Sequence, residues 1–408
     1  MKLLHTSDWH LGRTLYDKKR YPEFEAFLDW LLKLIYEERI DILLVAGDIF
    51  DSSAPGNRAQ EMYYEFLSRV RDTACRLVVI AGGNHDSPTF LDAPKNLLGA
   101  LNIKVIGSIT GNIDDEILVV KDKDGKAEAI ICAVPFLRDR DIRTVEPGEN
   151  PDDKTKKLIK GISQHYKTAA SAARVLQDKN SHVPVIGMGH LFTSDGRTVE
   201  GDGVRELYIG STAHVDGNDI SAGFDYMALG HLHLAQIVGN NEAVRYSGSP
   251  LPMGFAEAEH TKKVIIAEFK EGSQLISEHE IPCFQELVRI SGDLETVSRK
   301  VGALKDEGSK AWLEVEITSP TEAAIISSRL SEIIAGSELE ILRTKNSGIA
   351  YRSLSAAANN ETLETLEDSE VFKRCIEAYD LSEDERDRLT DTYNEARTSM
   401  ENADLNAG

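Results

Sequence analysis

Seven residues with metal-binding side chains, Asp8, His10, Asp48, Asn84, His190, His231 and His233, stand in five short motifs, DWH, GDIFD, GNHD, GHL and GHLH. Carboxylate and amide oxygens mixed with imidazole nitrogens suit a borderline-soft divalent ion. Three to four imidazoles favour Mn, Fe or Zn over the all-oxygen surroundings of Mg. Seven donors are too many for one ion and suit two that share a carboxylate. Two such ions, about 3.5–4 Å apart, polarise phosphoryl oxygens and clamp both sides of an in-line displacement, so the protein need supply no covalent nucleophile. A lone His at a strand end is ordinarily a satisfied polar residue, and a lone Asp there a turn or helix cap. GHL around His190 is therefore weak by itself and DWH moderate. GDIFD, GNHD and GHLH, in that order and each after an apolar run, are specific together.

The runs that must position these residues are LLHTS before Asp8, ILLVA before Gly47, LVVIA before Gly82, VIGM before Gly189 and YMAL before Gly230. Each reads as a buried strand closed by a turn. Ligands of open α/β sheets bind at the carboxyl ends of strands, so residues from position 8 to position 233 are expected to converge on one sheet edge. Phe24, Phe27, Leu28, Leu31, Leu32 and Ile35 follow helical spacing and give an apolar face to pack on that sheet. Residues 57–71 place Met62, Phe66 and Val70 on one line, with Tyr63 and Leu67 beside it. Ser87 as cap and Pro88 at the first turn announce another helix, with Leu97, Leu98 and Leu101 following. Turn signals at 121–125 and 238–243 predict hairpins. Residues 147–157 read as a polar loop before a helix at about 156–178.

From Pro282 the pattern becomes strand (287–291), helix (294–306), strand (311–318), helix (321–335) and strand (339–345), a βαβαβ unit without motif residues. The expected organisation is a catalytic domain at 1–280, a small domain at 281–346 and a tail at 347–408. In the tail, Val371, Phe372, Cys375, Ile376 and Tyr379 form one stripe. Ser382 and Glu385 make a capping box for a last helix carrying Leu389 and Tyr393. Two short helices have little surface to bury such stripes on each other, so they either fold back on the body or sit on a partner; the favoured reading is helix-in-groove packing of Val371, Phe372, Ile376 and Tyr379 on a coiled coil.

At 408 residues with 41% hydrophobic content, the chain can form one large core plus smaller units. Cys75, Cys132, Cys283 and Cys375 lack CxxC spacing, which indicates neither a disulfide framework nor a zinc knuckle. A strand beginning almost at Met1 leaves no room for a signal peptide, and no apolar run approaches the length of a membrane span, so a cytoplasmic protein is expected. The net charge of −22 disfavours diffuse binding to a polyanion, and residues 356–408, with 15 acids against 5 bases, hold −10 of it. Nucleic acid would have to be gripped by local patches, by metals or by a partner. Arg13, Lys18, Lys19 and Arg20, just after DWH, are the best local patch for phosphates; the alternative is a solvated charge run.

The five motifs in this order resemble those of the calcineurin-like metallophosphoesterases, whose signature is DxH, GDxxD, GNHD/E, H and GHxH. The flanks, HTSDWHLG at 5 to 12, FLDWLL at 27 to 32, VAGDIFD at 45 to 51, PFLRDRD at 135 to 141, ALGHLH at 228 to 233 and VRYSGSPLP at 244 to 252, are similar to the bacterial SbcD nucleases over roughly the first 280 residues. The resemblance implies an α/β sandwich of two packed mixed β-sheets flanked by helices, with a capping domain that selects or orients DNA. It implies Asp8, His10 and His233 on one metal, Asn84, His190 and His231 on the other, and Asp48 bridging. His85 becomes the catalytic histidine outside the metal sphere, able to protonate the departing oxygen or to hydrogen-bond the phosphoryl oxygens. Asp51 is the group expected to orient it, with Asp86 as a neighbouring alternative. Two departures are visible: AGGNHD has a doubled Gly where a single one is usual, and Leu234 follows GHLH where a basic residue is common.

By the same resemblance the metals are two Mn²⁺ per chain. The partners are DNA and an SbcC-like SMC/ABC ATPase, on whose coiled-coil root the tail would sit. A homodimer is implied too, built from the helices at 57–71 and after Ser87 through self-complementary apolar faces. The activity implied is ATP-dependent double-strand exonuclease and single-strand or hairpin endonuclease cleavage in DNA repair, recombination and replication. Two alternatives are weighed against it. A phosphodiesterase or phosphatase for small substrates would share the metal site, but the 130 residues after the catalytic domain and the YSGSP segment argue against it. A scaffold subunit without catalysis is disfavoured by intact Asp8, Asp48, Asn84 and His85.

Overall fold

The computed structural model describes residues 1–143, 149–179, 183–198, 214–270, 273–347, 369, 372–373, 376 and 386–394. The chain divides into two compact units, Met1–Gln285 and Glu286–Gly408. Residues 281–285 thus go with the first unit: the Ile281 amide donates to the Lys262 carbonyl, and its side chain lies in the same core as the N-terminal helices.

Two six-stranded sheets build the first unit. One runs, edge to edge, Ser273–Glu280, Lys263–Lys270, Lys2–Thr6, Ile42–Ala46, Leu77–Ala81 and Ile103–Ile106. The other runs Gln236–Val238, Asn241–Tyr246, Tyr226–Gly230, Val185–His190, Ala127–Ala133 and Ile117–Lys121. The central strands of each are parallel; antiparallel pairs close both edges of the second sheet and one edge of the first, whose other edge strand, Ile103–Ile106, pairs parallel, so both sheets are mixed. The strands alternate their faces. Leu3, Leu44, Ala46, Val79 and Ala81 of the first sheet meet Ile131, Ala133, Ile186, Met188 and Ala228 of the second in one buried layer. The opposite face of the first sheet packs on the helices Tyr21–Glu37 and Asn57–Val70, and that of the second on the helix Pro151–Lys179. The result is a four-layer α/β sandwich. His5 is a polar staple across the layers: its ring nitrogens lie 3.0 Å from the Tyr226 hydroxyl and 3.1 Å from the Leu229 carbonyl.

Three expectations are corrected. Ser87 does cap a helix, accepting the Phe90 amide, but that helix ends at Asp92 and a new one, Lys95–Gly99, begins after Pro94. Proline cannot donate to the helical ladder and its ring clashes with the preceding turn. The long helix starts at Pro151, inside the stretch that reads as a polar loop. The line Met62, Phe66 and Val70, with Tyr63 and Leu67, is buried in the chain's own core, so it offers no face to a second copy.

The second unit has a three-stranded parallel sheet, Leu287–Gly292, Trp312–Ile317 and Glu340–Asn346, in sequential order. Helices Leu294–Asp306 and Ala323–Ile334 bury Val297, Val301, Ile326 and Leu330 with Ile290, Leu313, Val315 and Ile317. In the tail, Phe372 and Tyr393 stack at 4.0 Å and 11°, and Ile376 is buried. Val371, Cys375, Tyr379, Ser382 and Glu385 lie outside the described residues. Among the described residues, no helix is long and apolar enough to cross a membrane.

Candidate metal centre

All five motifs lie at carboxyl ends of central strands. Lys2–Thr6, Ile42–Ala46 and Leu77–Ala81 deliver Asp8, His10, Asp48, Asn84 and His85 from one sheet; Val185–His190 and Tyr226–Gly230 deliver His190, His231 and His233 from the other. The chain turns sharply to do so. Asp8, His10, Asp48 and His231 have φ of +53°, +48°, +51° and +102°, left-handed values that cost an L-residue energy and cluster where function over-determines the backbone. Space is equally tight. A Cβ on Gly83 would meet the carboxylate and amide of Asp48, and one on Gly82 would press on Gly107 at 2.9 Å, which accounts for the doubled Gly of AGGNHD.

The donor atoms converge. Asp48 Oδ2 lies 3.6 Å from His10 Nε2 and 3.3 Å from His190 Nε2, placing this carboxylate between imidazoles delivered by the two sheets. Among the described residues, donor atoms lie within 4.8 Å of one another in three groups: Asp8, His10 and His233; Asp8, Asp48 and His190; and His10, Asp51 and His85. His10 Nε2 and His233 Nε2 face each other at 3.2 Å. His190 Nδ1 donates to the Ala46 carbonyl at 3.0 Å, which orients the ring so that Nε2 faces inward, 3.0 Å from Asn84 Oδ1. The Asp8 carboxylate accepts the His231 amide at 2.9 Å and the Ser7 hydroxyl.

The residues fit divalent cations. His231 Nε2 is buried with no hydrogen-bond partner, and such an orphaned polar atom is costly unless something binds it. Burial drives His10 down to about 4 and His231 well below its usual value, the neutral forms that ligate. Burial also works against charge on His190, yet Asp48 outweighs it and lifts that imidazole to about 9. Burial opposes ionisation of Asp48 too, and the imidazoles of His190 and His10 still hold its carboxyl well below the usual range. A carboxylate that supports imidazolium here supports a divalent cation in its place.

His85 sits against the cluster, its ring 4.8 Å from that of His10, with its amide donating to Asp48 Oδ1 at 2.8 Å. Its orientation corrects the expectation for Asp51. His85 Nδ1 donates to the main-chain carbonyl of Asp51 at 2.7 Å, whereas the Asp51 carboxylate lies 3.3 Å from His10 Nδ1 and accepts Arg13 at 3.0 Å. Asp86 does not orient the ring either: it takes the amides of Gly83, Ile49 and Phe50, and burial lifts it to about 7.

The basic patch divides. Arg20 is buried, bidentate to Glu23 at 2.8 and 2.6 Å and donating to the Pro252 carbonyl at 2.6 Å. It is a structural residue, which corrects its assignment to phosphates. Arg13 is tied to Asp51 beside the cluster, and Lys18 and Lys19 lie in a two-residue strand of a small hairpin. Sequence reasoning misses Ser7, Glu257 and Lys262. Glu257 Oε1 lies 3.3 Å from His233 Nδ1, and Glu257 is paired with Lys262.

The chain matches the calcineurin-like phosphoesterase model over residues 1–235 and the type 5 capsule protein repressor C-terminal domain over residues 283–379. It is 34% identical to the SbcD component of nuclease SbcCD from Escherichia coli K12, over 95% of this chain and 96% of that one. Identity to the same component from Rhodobacter capsulatus is 32% over 67% of each chain, and to that from Bacillus subtilis 30% over 78% of this chain and 79% of the relative. With both domains matched in order and 95% of the chain aligned to one relative, the chain belongs to the calcineurin-like phosphoesterases and, within them, to the SbcD family of nucleases.

Proposed function

We propose that this chain hydrolyses phosphodiester bonds of DNA with two bound Mn²⁺, as the nuclease component of a complex with an SbcC-type ATPase. The observation that carries the reading is the convergence of six donors from both sheets around a seventh, Asp48, with His85 beside them. Asp8, His10 and His233 would hold one ion, Asn84, His190 and His231 the other, and Asp48 both. Bound there, the ions supply Lewis acidity to the phosphoryl group. The chain's own part is positional. The Asp51 carbonyl holds the proton on His85 Nδ1, which leaves Nε2 as the atom that would give a proton to the departing oxygen or hydrogen-bond the phosphoryl oxygens. The strained turns hold the donors before any ion binds, so little reorganisation accompanies binding.

The remaining assignments are proposals of the same kind. A catalytic body precedes a capping unit from residue 286 onward that helps orient DNA. The support is a buried Glu314 held by Arg289, Arg343 and Lys345, three cations on one acid, whose side chains are 50%, 43% and 32% exposed. The tail, with Phe372 and Ile376, would dock on the ATPase coiled coil. A second copy would meet Leu97 and Leu101, 71% and 36% exposed, in place of the buried line on Asn57–Val70. The compartment proposed is the cytoplasm. Incubating the purified chain with labelled single-stranded, blunt and hairpin DNA in Mn²⁺ or Mg²⁺, with and without the ATPase, tests the reading. Metal-dependent cleavage of single strands by the chain alone, and ATP-stimulated attack on duplex ends by the complex, are expected.

A further inference from the structure

Behind His233 lies a buried polar group that belongs to none of the five motifs. Glu257 Oε1 is 3.3 Å from His233 Nδ1, and Glu257 Oε2 pairs with Lys262 Nζ and accepts the Met253 amide at 3.2 Å. Lys262 Nζ also donates to Ser249 Oγ at 2.9 Å and to the His233 carbonyl at 3.1 Å. The Ser249 amide donates to that same carbonyl at 3.1 Å. The Glu257 and Lys262 side chains are 2% and 7% exposed.

Stability alone gives no reason for such a pair. Desolvating two charges is expensive, and apolar residues of similar volume often do as well or better. What distinguishes this pair is its object. Its acid faces the ring of His233 and its base grips the main chain of the same residue. On the far side of the ring, Nε2 is 3.2 Å from His10 Nε2. Glu257 Oε1 has no other hydrogen-bond partner among the described residues and stands 3.3 Å from Nδ1, so a proton on Nδ1 would face it and leave the Nε2 lone pair for a cation, which is how a carboxylate behind a ligating histidine sets its tautomer and strengthens it as a donor.

We propose that Glu257 is a positioning residue for the metal ion held by Asp8, His10 and His233, and that Lys262 locks it in place. The inference rests on the two-metal reading above. Its effect is one-sided, because His190 takes its orientation from the Ala46 carbonyl instead.

Titration of Mn²⁺ into the metal-free full chain, followed by calorimetry and by the paramagnetic resonance of the Mn pair, tests it. Two variants are used. Glu257→Asp keeps the ion pair with Lys262 but withdraws the carboxylate from the ring; Glu257→Gln with Lys262→Met removes both charges, so neither is left buried alone. In both, one ion is expected to bind with wild-type affinity and the other roughly 10–100-fold more weakly. At two equivalents of Mn²⁺, at protein concentrations where the wild type gives the pair, a mononuclear spectrum with free Mn²⁺ should therefore persist in the variants, and the pair should appear only with excess Mn²⁺. Variants that unfold at lower temperature yet bind both ions as the wild type does would overturn the inference, and so would equal weakening of both. A wild-type chain that binds fewer than two ions would overturn the two-metal reading itself.

Discussion

His85 Nδ1 and the main-chain carbonyl of Asp51 are 2.7 Å apart, so the ring is oriented by backbone and not by the acid that carries the motif. The Asp51 carboxylate stands instead 3.3 Å from His10 Nδ1. The two residues should therefore fail differently. His85→Gln should retain two Mn²⁺ per chain while cleavage falls by roughly 10² or more, with no recovery at high Mn²⁺. Asp51→Ala should lower metal affinity by roughly 10–100-fold through His10 and recover turnover at saturating Mn²⁺. Metal content by elemental analysis alongside cleavage rates checks both; loss of metal in His85→Gln would contradict the assignment.

Arg20 and the lysines of the hairpin should separate as cleanly. Arg20→Ala leaves Glu23 buried without its partner and should cost about 3–5 kcal/mol in unfolding free energy, seen as an earlier denaturant midpoint. Replacing Lys18 and Lys19 by Ala should leave stability almost unchanged. If they touch phosphates, it should also lower the salt slope of DNA binding by about one unit per lost contact. An unchanged slope would return them to solvated surface.

Burial holds His5 at about 3, against an ordinary value of 6.5. Between those values the unfolded chain binds a proton that the folded chain cannot, so stability rises with pH from about 3 to 6.5 and is flat outside that window on this group's account. The slope approaches about 1.4 kcal/mol per pH unit. In His5→Gln that contribution should vanish. Unfolding of the metal-free protein at a series of pH values measures the difference, and identical pH profiles would show that His5 is not so held.

Cutting the chain after Asn346 should spare metal binding and cleavage of single-stranded DNA, because every candidate ligand lies before that point. Association with an SbcC-type ATPase should be lost. The Phe372–Tyr393 stack also predicts that Phe372→Ala alone weakens the complex, since it removes one member of a ring pair 4.0 Å apart. Co-purification of the truncated chain with the ATPase at full stoichiometry would refute this placement.

The site is legible because its residues sit where a period changes, at the point where an apolar run such as ILLVA or LVVIA meets a turn. Chemistry at strand ends is written locally. What escapes a linear reading depends on long-range approach. Glu257 and Lys262 reach His233 only after the chain has folded back through GSPLP, and no spacing announces them. Arg20 reads as surface because its charge is visible in the sequence and its contact with Pro252 is not. The helix after Ser87 reads through Pro94 because the leucines beyond it keep helical spacing, although the ring that ends the first segment is in plain view. The sandwich itself follows from alternation: Leu3 and Leu44 face the second sheet while Leu4 and Leu43 face the helices.

A two-metal site on this chain is proposed to cut DNA. Strip the purified chain with EDTA, restore Mn²⁺, and follow a labelled single-stranded oligonucleotide for the wild type and for Asp48→Ala. Cleavage that returns with two Mn²⁺ per chain in the wild type, and both ions weakened together in Asp48→Ala, is the result predicted. Hydrolysis of a small phosphodiester while the oligonucleotide stays intact, or loss of only one ion in Asp48→Ala, would contradict it.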